Sequence, residues 1–164
     1  MFRRAADFQK AWEQEKGSTL KVLGALTDAS LGQAVTKDDR TLGRLAWHLA
    51  TTPGEMMERT GLKVGGPSHD AHPPASAGAI VAAYEAASKA IAEGVSGWTD
   101  ATLEVEDDMY GEKWPRGMSL QVLVVHQAHH RGQMTVLMRQ AGLKVPGVYG
   151  PAREEWTAYG MQPP

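Results

Sequence analysis

The chain contains no cysteine. No disulfide can form, and no thiolate of its own can act as nucleophile or metal ligand. Any metal site must therefore be built from nitrogen and oxygen donors, and any thiol the protein handles must come from a small molecule. There is also no run of Lys and Arg, and the formal charge is -2 with a pI near 6.3. A strongly basic nucleic-acid surface is thereby disfavoured, and no nucleic-acid partner is expected. Long apolar runs are missing as well. The longest, Leu120 to Val125, is far too short to cross a bilayer. The N-terminal Met1-Phe2-Arg3-Arg4 stretch carries charge but no apolar segment of a secretory signal. A cytoplasmic protein without a membrane partner is the expectation.

What is present fits an ordinary folded chain. The 164 residues are 42% hydrophobic and 22% charged, enough for one domain spanning 1–164 with a real core. Phe8, Trp12, Leu20, Val22, Leu23, Leu26 and Leu31 recur at three- and four-residue steps. They predict a first helix over about 3–31, weakened at Gly17 and Gly24. The polar Lys37–Thr41 segment offers an N-cap to a second helix carrying Leu42, Leu45, Ala46, Leu49 and Met56. Pro53 interrupts that pattern and is expected to kink it or open its last turns.

Residues 61–78, rich in Gly and Pro, read as a long loop, either a lid or a mobile connection. Ile80, Val81, Tyr84, Ala87 and Ile91 predict a third helix over 76–95. Residues 98–117 read as an extended crossover holding a short hairpin. Ser119 is the expected N-cap of a fourth helix, Leu120 to Gln140, stopped by Gly142. A tail, 143–164, includes a short helix at Arg153 to Tyr159. Four long helices with unequal connections make an all-α four-helix bundle, with the long crossover before the last helix.

The chemistry concentrates in Val125-His126-Gln127-Ala128-His129-His130-Arg131-Gly132-Gln133, which holds three of the six histidines. Spaced four apart on a helix, His126 and His130 share one face and can grip one transition metal. The best third ligand on another helix is His48, mid-helix among apolar residues, where an unpartnered imidazole is costly to bury. Such a set suits zinc or nickel. On the residues alone the bland alternative stands beside it: His48 as a hydrogen-bonded core histidine, and the pair as an accident of spacing. His129 points about 100° away from His130 and reads as a bystander. A zinc-protease motif has Glu after its first His; here Gln127 cannot serve as base.

The string His126-x-x-x-His130-Arg131-Gly132-Gln133, with an isolated His48 about eighty positions upstream, resembles the DinB / YfiT-like superfamily over nearly the whole chain. That resemblance implies an up-down-down-up bundle, a metal held by His48, His126 and His130, and a homodimer. It also admits thiol-dependent transferases, and the fold does not fix the chemistry.

Three neighbours are candidates for catalytic roles. Glu55, seven after His48, is the nearest carboxylate that could act as general base. Gln133 shares the ligand face and could hydrogen-bond an imidazole. Arg131 could bind an anionic group or brace a neighbouring helix. Arg44, on the same helical side as His48, is read as a bundle-stabilising contact. His69 and His72, flanking Asp70, read as parts of a mobile polar loop rather than a second metal site. Glu104, Glu106, Asp107 and Asp108 lack calcium-loop spacing and read as a solvated face. Trp47, Trp98, Trp114 and Tyr110 could line a pocket but suit core positions better.

Two functional readings remain from the sequence. One is a metal-dependent transferase or hydrolase that activates a small-molecule thiol or water. The other is a non-catalytic metal-binding or stress-response bundle, its metal structural or absent. DNA binding is the weakest third, opposed by the near-neutral charge.

Overall fold

A computed structural model of the chain describes residues 1–162. It contains four long helices, α1 (Ala5–Gly24), α2 (Leu42–Glu58), α3 (Ala77–Ser96) and α4 (Arg116–Gln140), with a hairpin of β1 (Glu106–Met109) and β2 (Glu112–Pro115) before α4. The expected four-helix bundle is thus observed. Residues 163 and 164 of the expected tail lie outside the described residues.

Which helix ends meet fixes the direction of each helix. One apolar cluster joins Val22 and Leu23 of α1, Leu42 and Leu45 of α2, Ile80 and Tyr84 of α3, and Met134 and Leu137 of α4. The other joins Phe8 and Trp12, Met56 and Met57, Ile91 and Val95, and Leu120 and Leu123. The first cluster takes the late part of α1 and α4 and the early part of α2 and α3, and the second the reverse. The topology is therefore up-down-down-up.

Between the two apolar clusters the sequence switches to buried polar groups on every helix. Glu15, Ser18 and Thr19 lie on α1, Thr51 and Thr52 on α2, Ser88 on α3, and Gln127, His130 and Arg131 on α4. A polar group removed from water must find a partner there. Arg131 pairs with Glu15 and donates to Thr19 Oγ1 at 2.8 Å. Thr19 in turn donates to Gln127 Oε1 at 3.2 Å, and Trp12 Nε1 donates to the Ser88 carbonyl at 3.0 Å. Tyr149 from the tail donates to Glu15 at 2.8 Å. This band across the middle of the bundle is where the histidines sit.

Several boundaries differ from the sequence expectation, for identifiable reasons. α1 ends at Gly24, not near 31. Thr27 and Ser30 form a reciprocal cap that starts a 3-10 turn over Asp28–Gly32. Leu26 and Leu31 remain buried across this break, which is why the apolar periodicity runs past the helix. α2 starts after Thr41, the last residue of the expected capping segment, whose hydroxyl accepts from Arg44 N, and it continues through Pro53 to Glu58. α4 starts three residues before Ser119, which is buried inside the helix. Pro115, fixed at φ -58°, sets the entry, and Arg116 N donates to the Val105 carbonyl at 2.9 Å. Its C-terminus is stopped by Gly142 at φ 76°, with Leu143 N bonded to Met138 O and Gly142 N to Arg139 O.

The crossover holds a second reciprocal cap, Thr99 with Thr102, over the 3-10 turn Asp100–Glu104. Each of these two turns lends an aspartate to a helix elsewhere. Asp28 Oδ1 accepts from Ala77 N at 2.7 Å at the start of α3. Asp100 Oδ1 accepts from Ala5 N at 2.9 Å at the start of α1, where Arg4 provides no side-chain cap. The hairpin turns on Tyr110 and Gly111, both at positive φ (62° and 88°), as a two-residue connection requires. In the tail, the expected helix at Arg153 to Tyr159 is a 3-10 turn, Trp156–Tyr159.

Candidate metal centre

α2 and α4 run antiparallel, so His48 faces the pair one turn apart on α4. His48 Nε2 lies 3.0 Å from His126 Nε2, and His130 Nε2 lies 3.1 Å from the same atom. The three donor nitrogens lie within 4.8 Å of one another. His130 is buried and the other two are half-buried.

Two of the three rings have a partner at the outer nitrogen, while His126 Nδ1 is buried with none among the described residues. His130 Nδ1 is 2.7 Å from Gln133 Oε1, an atom that can only accept. His130 therefore carries its proton on Nδ1 and turns a bare Nε2 lone pair inward. His48 Nδ1 is 3.2 Å from Thr52 Oγ1, one turn on. Burial pushes the His48 pKa down to about 3 and that of His126 down to about 4, the neighbouring imidazoles adding to it. Burial also lowers His130, with Gln133 opposing. All three are neutral near pH 7, the form that binds metal.

A proton on His126 Nε2 can bridge to only one of its two close neighbours at a time, whereas one cation between the rings satisfies all three nitrogens at once. Tetrahedral zinc, at 2.0–2.1 Å from each ligand, holds neighbouring imidazole nitrogens about 3.3 Å apart. The observed 3.0 and 3.1 Å are within a few tenths of an ångström of that spacing. The donor set, three nitrogens and no sulfur, fits zinc, nickel or a similar divalent ion.

A cavity of about 470 Å³ opens beside the triad, with His48, His126, Glu55, His69, Tyr110 and Val122 on its walls. Glu55 reaches this cavity, as its seven-residue offset from His48 suggests. It is not free, however. Oε1 accepts from Arg59 Nε at 3.0 Å, and Oε2 accepts from Tyr110 Oη at 2.7 Å. The Arg59 guanidinium also stands 4.3 Å over the Tyr110 ring. Tyr110 keeps its proton, since burial and then Glu55 raise its pKa.

The other candidates separate cleanly. Gln133 is bonded to a triad imidazole. Arg131, next in sequence to His130, points away from the cavity into the polar band and braces α1 through Glu15. Gln127 likewise faces α1. His129 is exposed, as its position around the helix requires. Trp47 is a core residue whose Nε1 donates to the Ala71 carbonyl, which also accepts from Arg44. Trp114 packs edge-on against Tyr110, and Trp98 lies under Arg116. Of the acidic cluster, Asp107 is paired with Arg116 at 2.8 Å.

His69 departs from the sequence reading. It lies 5.1 Å, ring centre to ring centre, from His48, edge-on. His72 is exposed and does not line the cavity. Nothing local to 61–78 marks His69 out. Its position depends on how the loop lies along α2, which the loop sequence does not encode by periodicity.

Comparison with known proteins agrees with this architecture. The family model described as DinB family matches residues 1–163. An uncharacterized protein of Bacillus subtilis, YrdA, is 46% identical over 165 residues, covering 100% of this chain and 99% of the relative. The crystal structure of a DinB-like protein from Bacillus cereus superposes with a TM-score of 0.87 at 45% identity, covering 91% of this chain and 100% of that one.

Proposed function

Because the chain belongs to the DinB family, we propose that it is a cytoplasmic, homodimeric, single-domain metalloprotein. His48, His126 and His130 hold zinc or nickel, and the protein is a metal-dependent transferase or hydrolase acting with a small-molecule thiol or water. The observation that carries this reading is the convergence of three Nε2 atoms with Gln133 fixing the tautomer of His130. The chemistry such an ion supplies is a lowered pKa for a thiol or water in its open position, giving a nucleophile at neutral pH.

The chain's own residues do the rest. Gln133 and Thr52 orient two of the imidazoles from behind. Val122 and Met56 present apolar walls against which the non-polar part of a substrate can pack. The Tyr110 hydroxyl, held protonated at the rim, can donate to a substrate oxygen once it leaves Glu55. With no cysteine in the chain, the cavity has no competing thiol of its own.

One observation favours the non-catalytic alternative: both oxygens of Glu55 are engaged, so among the described residues the cavity has no free carboxylate base. The readings diverge on chelation. For an enzyme, a chelator abolishes thiol transfer to a small electrophile and zinc or nickel restores it. For a structural site, chelation lowers the melting temperature and no transfer is seen with any metal.

A further inference from the structure

The loop between α2 and α3 is seated along one face of α2. Gly65 and Gly66, at φ +67° and +100°, turn the chain back on the helix. Gly65 N then donates to Glu58 Oε1 at 2.9 Å. The Gly65 carbonyl passes 3.6 Å from where a Cβ on Gly54 would stand. His69 meets Thr51, and the Ala71 carbonyl accepts from Trp47 at 2.9 Å and Arg44 at 3.2 Å. Glu58, Gly54, Thr51, Trp47 and Arg44 are spaced by four, three, four and three residues. They form one helical stripe. That stripe holds the loop so that His69 reaches the cavity wall beside the triad.

The hydrogen bond to Thr51 sets the state of His69. The single hydroxyl proton of Thr51 is donated to the Trp47 carbonyl at 3.0 Å. Toward His69 Nδ1, 3.4 Å away, Thr51 Oγ1 can therefore only accept. His69 carries its proton on Nδ1, and its Nε2 lone pair is available. This is the same arrangement that Gln133 imposes on His130. The bond is long, so the tether is weak. The His48–His69 ring distance of 5.1 Å is close to the 4.3–4.9 Å among the triad rings themselves. His69 is nevertheless not part of the cluster whose nitrogens lie within 4.8 Å of one another.

We infer that His69 is a fourth, exchangeable ligand to the metal of the triad, delivered by the loop and displaced when a substrate thiol or water takes the open position. This rests on the metal-binding reading above. A ligand on a loop, weakly tethered and just outside the cluster, is suited to leaving; ligands mid-helix are not.

The test loads the full-length protein with Co²⁺ and records the visible spectrum, then measures Zn²⁺ affinity by competition with a chromophoric chelator. His69→Ala and His69→Asn are compared with the unmodified chain, with His126→Ala as control. Asn at 69 has its amide nitrogen at the δ position, can still donate to Thr51 Oγ1 and so keeps the loop in its seat. The expected result is a changed cobalt spectrum in both His69 variants, with Zn²⁺ affinity weakened by about tenfold or more. Spectra and affinities that match the unmodified protein in both variants overturn the inference while leaving the triad intact. Failure of the unmodified protein to bind Co²⁺ and Zn²⁺ overturns the triad reading and this one with it.

Discussion

His130 Nδ1 lies 2.7 Å from Gln133 Oε1, one turn along the same helix. A bond from behind the ring commits the facing nitrogen to the site, and the three-residue spacing places both groups on one face.

Replacing Gln133 by Ala therefore weakens metal binding without removing a donor. The expected loss is about 10–100-fold in Zn²⁺ affinity. Competition with a chelator of known affinity measures it. An unchanged affinity means the bond does not orient the ligand.

Acid sensitivity of the metal-free protein follows from the buried imidazoles. An unfolded histidine titrates near 6.5, whereas His48 and His126 are held down at about 3 and about 4. Between these values the unfolded chain binds more protons than the folded one. Stability therefore rises with pH there, and falls as pH drops from about 6.5 toward 4. Thermal melts of the metal-free protein from pH 8 to pH 4 show this, and the slope flattens in a His48→Gln/His126→Gln double variant. Equal slopes in both proteins contradict the assignment.

Arg131 is predicted to matter for folding and not for metal. Its side chain and that of Glu15 are 3% and 8% exposed. Arg131→Met leaves the Glu15 carboxylate buried with the Tyr149 hydroxyl but without its charge partner, and costs about 3–5 kcal/mol. Adding Glu15→Leu recovers much of that loss. Urea unfolding reads both, and the metal stoichiometry of the folded variants stays that of the unmodified chain.

The start of α1 depends on a distant aspartate. Asp100→Ala removes the acceptor for Ala5 N and lowers stability by about 1 kcal/mol. The same denaturation experiment checks it, and a neutral result would assign the cap to solvent.

Much of the bundle was readable from spacing alone. Apolar steps of three and four marked four helices, the polar Lys37–Thr41 segment marked a helix start, and Gly142 a helix end. For His48 with His126 and His130, the residues left a core histidine and an accidental pair open, and it was the resemblance to the DinB / YfiT-like superfamily that implied the set of three found together. The misplaced boundaries share a cause: burial continues where the backbone changes. Leu26 and Leu31 stay in the core past the end of α1, and Ser119 is buried inside a helix that Pro115 had already begun. The direction of Arg131 and the seat of His69 were hidden for another reason. Both depend on which partner lies across a tertiary contact, Glu15 in one case and the α2 stripe in the other. No local pattern carries that information.

Elemental analysis of the native protein beside His126→Ala, both from metal-replete growth, tests the central claim most directly. The account predicts about one equivalent of zinc or nickel in the native protein, as a single mononuclear site requires, and little or none in the variant. Metal absent from both proteins, or present equally in both, contradicts it.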